Sequence, residues 1–485
     1  MGIDQVGAGR RLRAWLTAHL PELAILAFGA LLRVSMATGY DARVGFDFNA
    51  HWPYIDYIVS RHALPPMEFN TATYHPPLYY LLCAQLIRAG LDVGALGWMA
   101  ALLGIVRLSV TWVGLERWLP ESRLARVIAL ATAAVIPASL QLDGMISNET
   151  LFTLFCALAL VAAPSAIRAA RTGALGPMVW LTIWLGLALI TKVSALVILL
   201  AVMGVIALEI VRRRGSWAQA LRDRARALIV GGLIVGALSG WFFVRNQILY
   251  GQLSPTGYDG WAKKVQAPFA GTPYLDRRTL GFFAGFDPQV FVDPYAPTGY
   301  TPHPRFFSVL LASTFCDFYN YSLFRADPGA PTVDRHHRSL PKRAVVLGGW
   351  SVRGGAVVAF VVLLTWIAAV RSLWRRPTDS RLVLLFVPAL ALFGQLHFAT
   401  KYPNDAFGPI KGTYLQFAAP VACGLFGVGV SWMWRRTWAR WGALLAVGAL
   451  GLVAIYTCDA RRPRATAGAP TAAPFWQSSR DGGTR

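Results

Sequence analysis

Eleven long apolar runs, parted by short arginine-rich turns, constrain this chain more than any other feature of it. A helix needs about 20 apolar residues to cross the roughly 30 Å hydrocarbon core of a bilayer, where only helices and closed barrels satisfy their own backbone groups. The runs lie near residues 16–38, 93–115, 126–143, 150–167, 175–191, 193–211, 227–245, 354–370, 382–399, 413–433 and 441–457. Of 485 residues, 55% are hydrophobic and only 14% charged, so the chain reads as an all-α polytopic membrane protein. Its first run is too long for a signal peptide and no small-residue cleavage site follows, which makes it an uncleaved first span.

A formal charge of +22 invites a nucleic-acid partner, but the cations flank the runs instead of forming a patch. They cluster as Arg10, Arg11 and Arg13; Arg117, Arg123 and Arg126; Arg168 and Arg171; Arg212 to Arg214 with Arg222, Arg224 and Arg226; Arg371, Arg375, Arg376 and Arg381; and Arg435, Arg436 and Arg440. Such clusters in short loops mark the cytoplasmic side. Placing all of them inside makes Pro77 to Gly90, about fourteen residues and too short to span, an interfacial or re-entrant helix. The tail cations Arg461, Arg462 and Arg464 then fall outside, against the rule.

The polar groups left over converge on the outer face. They sit in loops 39–91 and 246–352, in the turns at 143–149 and at Lys192, and in loop 400–412. Residues 1–433 read as one transmembrane catalytic module, 434–458 as a terminal transmembrane hairpin segment, and the Ala/Pro/Thr/Gly/Arg-rich 459–485 as a disordered tail. The long outer loop has weak periodicity and reads as turns with short helices. Gly232, Gly236 and Gly240 recur every four residues, a spacing for close helix packing. Five cysteines show no paired spacing, and only Cys316 with Cys458 stays open as a pair. Neither a Walker loop nor an Asp-x-Asp pair occurs, which argues against a soluble nucleotide donor. The chain implies no cofactor and leaves a divalent cation open.

Several outer-face residues carry chemistry. Asp47 and His51 are four apart, on one helical face, where an acid and an imidazole can position and deprotonate a hydroxyl; a helix cap with a solvated histidine is the plain alternative. In His75-Pro76-Pro77-Leu78-Tyr79-Tyr80 the prolines suit a first helical turn and the tyrosines an interface, which leaves His75 unexplained. Glu149 begins a span, where the macrodipole alone favours a carboxylate. Lys192 interrupts about thirty-five apolar residues; it could snorkel or meet a lipid phosphate. Arg245 ends one span and Lys411, in Lys411-Gly412-Thr413-Tyr414, begins another. With His75 these cations would rim two carboxylates, as departure of a phosphate requires.

In this order, Asp47 with His51, His75-Pro76-Pro77-Leu78-Tyr79-Tyr80, Ser147-Asn148-Glu149, Thr191-Lys192, Arg245-Asn246 with Leu249-Tyr250-Gly251, and Ile410-Lys411-Gly412-Thr413-Tyr414, the chain resembles the membrane-embedded GT-C glycosyltransferases. The nearest in pattern are the bacterial relatives of protein O-mannosyltransferases and lipid A aminoarabinose transferases, of family 39 type. The resemblance spans about residues 16 to 433. It implies a polyprenyl-phosphate sugar donor, an acceptor hydroxyl of unspecified kind, a site on the outer face of the bacterial inner membrane, Asp47 as catalytic base, and His51, His75, Glu149, Lys192, Arg245, Lys411 and Tyr414 as substrate-binding residues. Phe48 follows Asp47 where the mannosyltransferases commonly carry a second acid, which shifts weight to His51 and Glu149. A direct displacement with inversion would need one base and a stabilised leaving group. A lipid or glycan transporter, or a polymerase or ligase of lipid-linked glycans, would share much of this pattern.

Overall fold

A computed structural model describes residues 3–40, 42–43, 45, 47–212, 217–254, 271–295, 305–318, 342–376, 379–403 and 409–458. The tail from 459 onward and much of the long outer loop lie outside the described residues. All regular elements among those described are helical. This is a multi-pass membrane protein: nine described helices are long and apolar enough to cross a bilayer, from Leu20–Gly39 to Thr437–Cys458.

The other two expected spans are helical but shorter in one piece. Gly176–Leu189 has 14 residues. The run at 126–143 is split into Arg123–Val135 and Pro137–Leu142, with Ile136 extended at φ −61°, ψ 118°. Pro137 is the cause, because it has no N–H to continue the ladder and pushes the residue before it out of the helical region. The short run expected at the interface is the 11-residue helix Leu78–Arg88, about 16 Å long and too short to cross.

Asn148–Ala170 is apolar on every side and lies at the centre; 78% of its most apolar stretch is buried, against 17% for the peripheral Arg343–Trp374. It packs against Gly176–Leu189 and Val93–Trp118. Charges placed inside the expected runs are fastened to one another. Asp143, fully buried after the Pro137 break, is ion-paired with Arg33, whose Nε lies 2.8 Å from Oδ2, and accepts from Arg107 Nη2 at 2.8 Å. Arg107 continues to Thr153 Oγ1 at 2.8 Å, and Arg33 to the Gly29 carbonyl at 2.9 Å. Gly104 makes room for this knot, since a Cβ there would lie 2.3 Å from the Asp143 carboxyl carbon.

One expectation fails. Among the described residues Gly232, Gly236 and Gly240 have no close neighbour, as a Cβ on any of them would meet open space. Gly236–Gly240 form a π-helical turn, and it is Gly231 that is closed in, 2.8 Å from the Thr182 methyl. The wider turn breaks the four-residue register on which the packing reading depended. Cys316 and Cys458 are both buried free thiols, as are the other three cysteines.

Candidate active site

Asp47 stands at the N-cap of the Phe48–Arg61 helix in the left-handed region, φ 60°, ψ 21°, yet its side chain makes no capping hydrogen bond. A non-glycine residue held there costs on the order of 1–2 kcal/mol, and capping does not account for the carboxylate. Instead Lys411 Nζ donates to Asp47 Oδ2 at 3.0 Å. The lysine is covered, with 6% of its side chain exposed, while 55% of the Asp47 side chain is open. Burial pushes the Asp47 pKa up, while Lys411, joined by His51 and Lys192, pulls it down, and the net shift is below the ordinary 3.8.

Lys411 owes its place to Gly412. The Gly412 amide donates to Ser313 Oγ at 2.9 Å, and a Cβ at Gly412 would lie 2.4 Å from Thr314 Oγ1 and 2.6 Å from the Ser313 carbonyl. The helix Phe306–Phe315 of the long outer loop therefore approaches the backbone so closely that only glycine fits. From Lys411 the chain enters the 3-10 helix Gly412–Ala418, which carries Tyr414. That ring lies between the two lysines, 4.6 Å from Lys192 Nζ and 5.4 Å from Lys411 Nζ.

Glu149 occupies the first turn of Asn148–Ala170, whose cap is Ser147. Capping therefore falls to its neighbour, and Glu149 itself is ion-paired with Lys192 through Oε1. Its Oε2 is buried without a partner among the described residues, an arrangement that leaves an acceptor for an incoming hydroxyl. The turn at Lys192 is tied to the helix after Pro76-Pro77 by the Leu78 amide, which donates to the Ile190 carbonyl at 3.1 Å.

His51 is buried and shares a 2.8 Å hydrogen bond between Nδ1 and the Tyr80 hydroxyl; its ring faces that of His75 with centroids 6.0 Å apart. Burial lowers the His51 pKa; Asp47 opposes this and the two lysines reinforce it, leaving it at about 4. Burial, then Lys192, holds His75 well below 6.5 as well. The solvated-histidine reading of His51 and the cationic reading of His75 are both corrected by this: two neutral imidazoles stand beside a site whose positive charge rests on lysine.

Asp47, His51, His75, Glu149, Lys192 and Tyr414 line one cavity of about 310 Å³, at the low end of the roughly 300–1,000 Å³ common for small-molecule sites. Lys411 stands behind Asp47 and not in the wall. Arg245 does not line the cavity either; its guanidinium bonds to Asn246 Oδ1 at 3.3 Å and lies 6.0 Å from the Tyr250 ring. Gln395 and His397, also in the wall, escaped the sequence reading. His397 Nδ1 meets the Tyr274 hydroxyl at 2.8 Å, which joins the long outer loop to the site. The signal for both was present, since polar residues near the outer end of an apolar span call for a functional account. Among the described residues no group of three or more His, Cys, Asp or Glu could hold a metal ion.

No protein-family profile matches this sequence, and no curated protein does. Among solved structures, the chain is similar to ArnT from Cupriavidus metallidurans. The crystal structure of that protein bound to undecaprenyl phosphate aligns at 15% identity and TM-score 0.37, over 85% of this chain and 78% of ArnT. The apo crystal structure aligns at 13% identity and TM-score 0.35, over 86% and 78%. A likeness this remote decides neither fold nor chemistry.

Proposed function

We propose that the protein is an inverting membrane glycosyltransferase of GT-C type, which moves a sugar from a polyprenyl-phosphate donor to an acceptor hydroxyl at the outer face of a bacterial inner membrane. The observation that carries this reading is Asp47: a strained, open carboxylate, held by a covered lysine, in one cavity with a second carboxylate and its own lysine.

The roles divide by access. Lys411 engages Oδ2 from behind and keeps Asp47 ionised, which leaves Oδ1 to take the proton of an acceptor hydroxyl. The hydroxyl oxygen forms its bond to the anomeric carbon as the bond from that carbon to the phosphate oxygen breaks, so the configuration inverts. Lys192 is the lysine in the wall and meets the departing phosphate, competing there with Glu149. Glu149 Oε2 accepts from a sugar or acceptor hydroxyl. A phosphate is a stable leaving group near neutral pH, so a weak base suffices and positioning supplies much of the rate. His51 and His75, neutral, act as hydrogen-bonding walls instead of as charges.

The test incubates membranes that carry the protein, and with them its acceptors, with radiolabelled polyprenyl-phosphate sugars and follows label leaving the lipid. Asp47-dependent release is expected. Label that stays on the lipid whichever sugar is offered, or release unchanged by Asp47→Asn, would sink the assignment.

A further inference from the structure

Toward the other end of the same bundle lies a larger hollow, of about 820 Å³, between the helices Val93–Trp118, Asn148–Ala170 and Gly176–Leu189. Its wall is apolar, with Val106, Val113, Leu158 and the stacked pair Trp180 and Trp184, 5.9 Å between centroids. Two serines also face it, and both are engaged by the protein: Ser109 Oγ donates to the Ile105 carbonyl at 3.1 Å, and Ser165 Oγ accepts from Arg168 at 3.2 Å. One charge closes the hollow, Arg117, which is exposed and has no ion pair or hydrogen bond among the described residues.

Length and charge together name the occupant. Along Val93–Trp118 the wall runs from Ile105 to Arg117, about 18 Å at 1.5 Å per residue. That is close to one leaflet, half of a hydrocarbon core of roughly 30 Å. Arg117 ends the run on the arginine-rich side, away from the loop that bears Asp47. An apolar trough one leaflet deep, with an uncompensated guanidinium at its mouth, complements a lipid with two chains and an anionic head. A polyprenyl phosphate serving the cavity would carry its phosphate at the opposite end.

We infer that this groove is a binding site for an anionic phospholipid of the arginine-side leaflet, its chains against Trp180 and Trp184 and its phosphate on Arg117. The inference is independent of the reading of the cavity and would hold for a transporter equally well.

Native mass spectrometry of the intact chain in detergent tests it, with phosphatidylglycerol and phosphatidylcholine of identical chains as probes. Wild type is expected to retain one phosphatidylglycerol at least tenfold more tightly than phosphatidylcholine. Arg117→Gln should remove that preference and Arg117→Lys restore part of it, while Arg222→Gln, an exposed arginine outside the groove, should leave it intact. Val113→Trp fills the trough from its exposed side and should expel both lipids. Equal retention of the two lipids by wild type, a preference that survives Arg117→Gln, or retention unchanged by Val113→Trp would each overturn the inference. Displacement of the bound phosphatidylglycerol by polyprenyl phosphate would overturn it too, and would give the groove to the donor.

Discussion

Asp143 and Asp47 are both aspartates held by cations, and they differ in everything that follows. Asp143 is sealed, ion-paired with two arginines that each bond onward into the protein, Arg107 to Thr153 and Arg33 to Gly29. Asp47 has one lysine, an open face and a backbone that glycine or asparagine would adopt more readily. Saturation marks fastening: the Arg33–Asp143–Arg107 knot joins three helices beside the Pro137 break and offers nothing to a ligand. Incompleteness marks chemistry, because only a carboxylate with an unused oxygen can accept a proton from a substrate.

The sharpest way to break this contrast is Asp143→Asn. It leaves two buried guanidinium groups without a counter-ion, and removing one partner of a buried pair costs about 3–5 kcal/mol. Loss of monodisperse protein on gel filtration, or a large drop in melting temperature, is expected; a normal melting curve would mean that the knot fastens nothing. Asp47→Asn should behave in the opposite way. Asparagine tolerates the left-handed conformation, so melting should hardly move while turnover falls by about 10²–10⁴, the range for a lost general base. Gly412→Ala tests whether Lys411 must be held in place: the added methyl collides with Thr314 and Ser313, and overpacking of this kind costs roughly 1–3 kcal/mol. Stability should fall by that amount and turnover by more than the lost fold alone explains, read as activity per folded molecule.

A smaller effect concerns His51. Its folded pKa of about 4 lies below the ordinary 6.5, so between those values the unfolded chain binds a proton that the native protein refuses. Its contribution to stability is therefore complete above pH 6.5 and declines as the pH falls toward 4. Thermal unfolding across this window should show the decline, and His51→Gln should lessen it, His75 supplying the rest. An unchanged slope would place the effect elsewhere.

How much of this could be read from the chain depends on what each residue stands beside. His75-Pro76-Pro77, Glu149, Lys192 and Lys411 are polar interruptions at the ends of apolar runs, and the sequence exposes them directly; Asp47 stands out in a polar loop. Arg33, Arg107 and Asp143 were hidden because each lies within a run, or at its edge, where the apolar average swamps a single charge. Their ion-pair partners are also 36 or more residues away, a distance that local pattern does not reach. The split at Pro137 was written in the sequence but outvoted by run length. The glycine stripe misled by one residue, since spacing alone does not say which face of the helix meets a neighbour, and Gly231 rather than Gly232 faces Thr182. The placement of the lysines needed coordinates: nothing in Lys192 or Lys411 as sequence says that one faces the cavity and the other stands behind Asp47.

Two carboxylates and two ammonium groups make the site electrically neutral before anything enters it. On the proposed reading, these four groups give a substrate phosphate no net pull of their own, and it arrives by lateral diffusion within the bilayer, recognised on contact. Turnover should accordingly vary little with ionic strength, and capture should depend on how much donor the surrounding lipid holds.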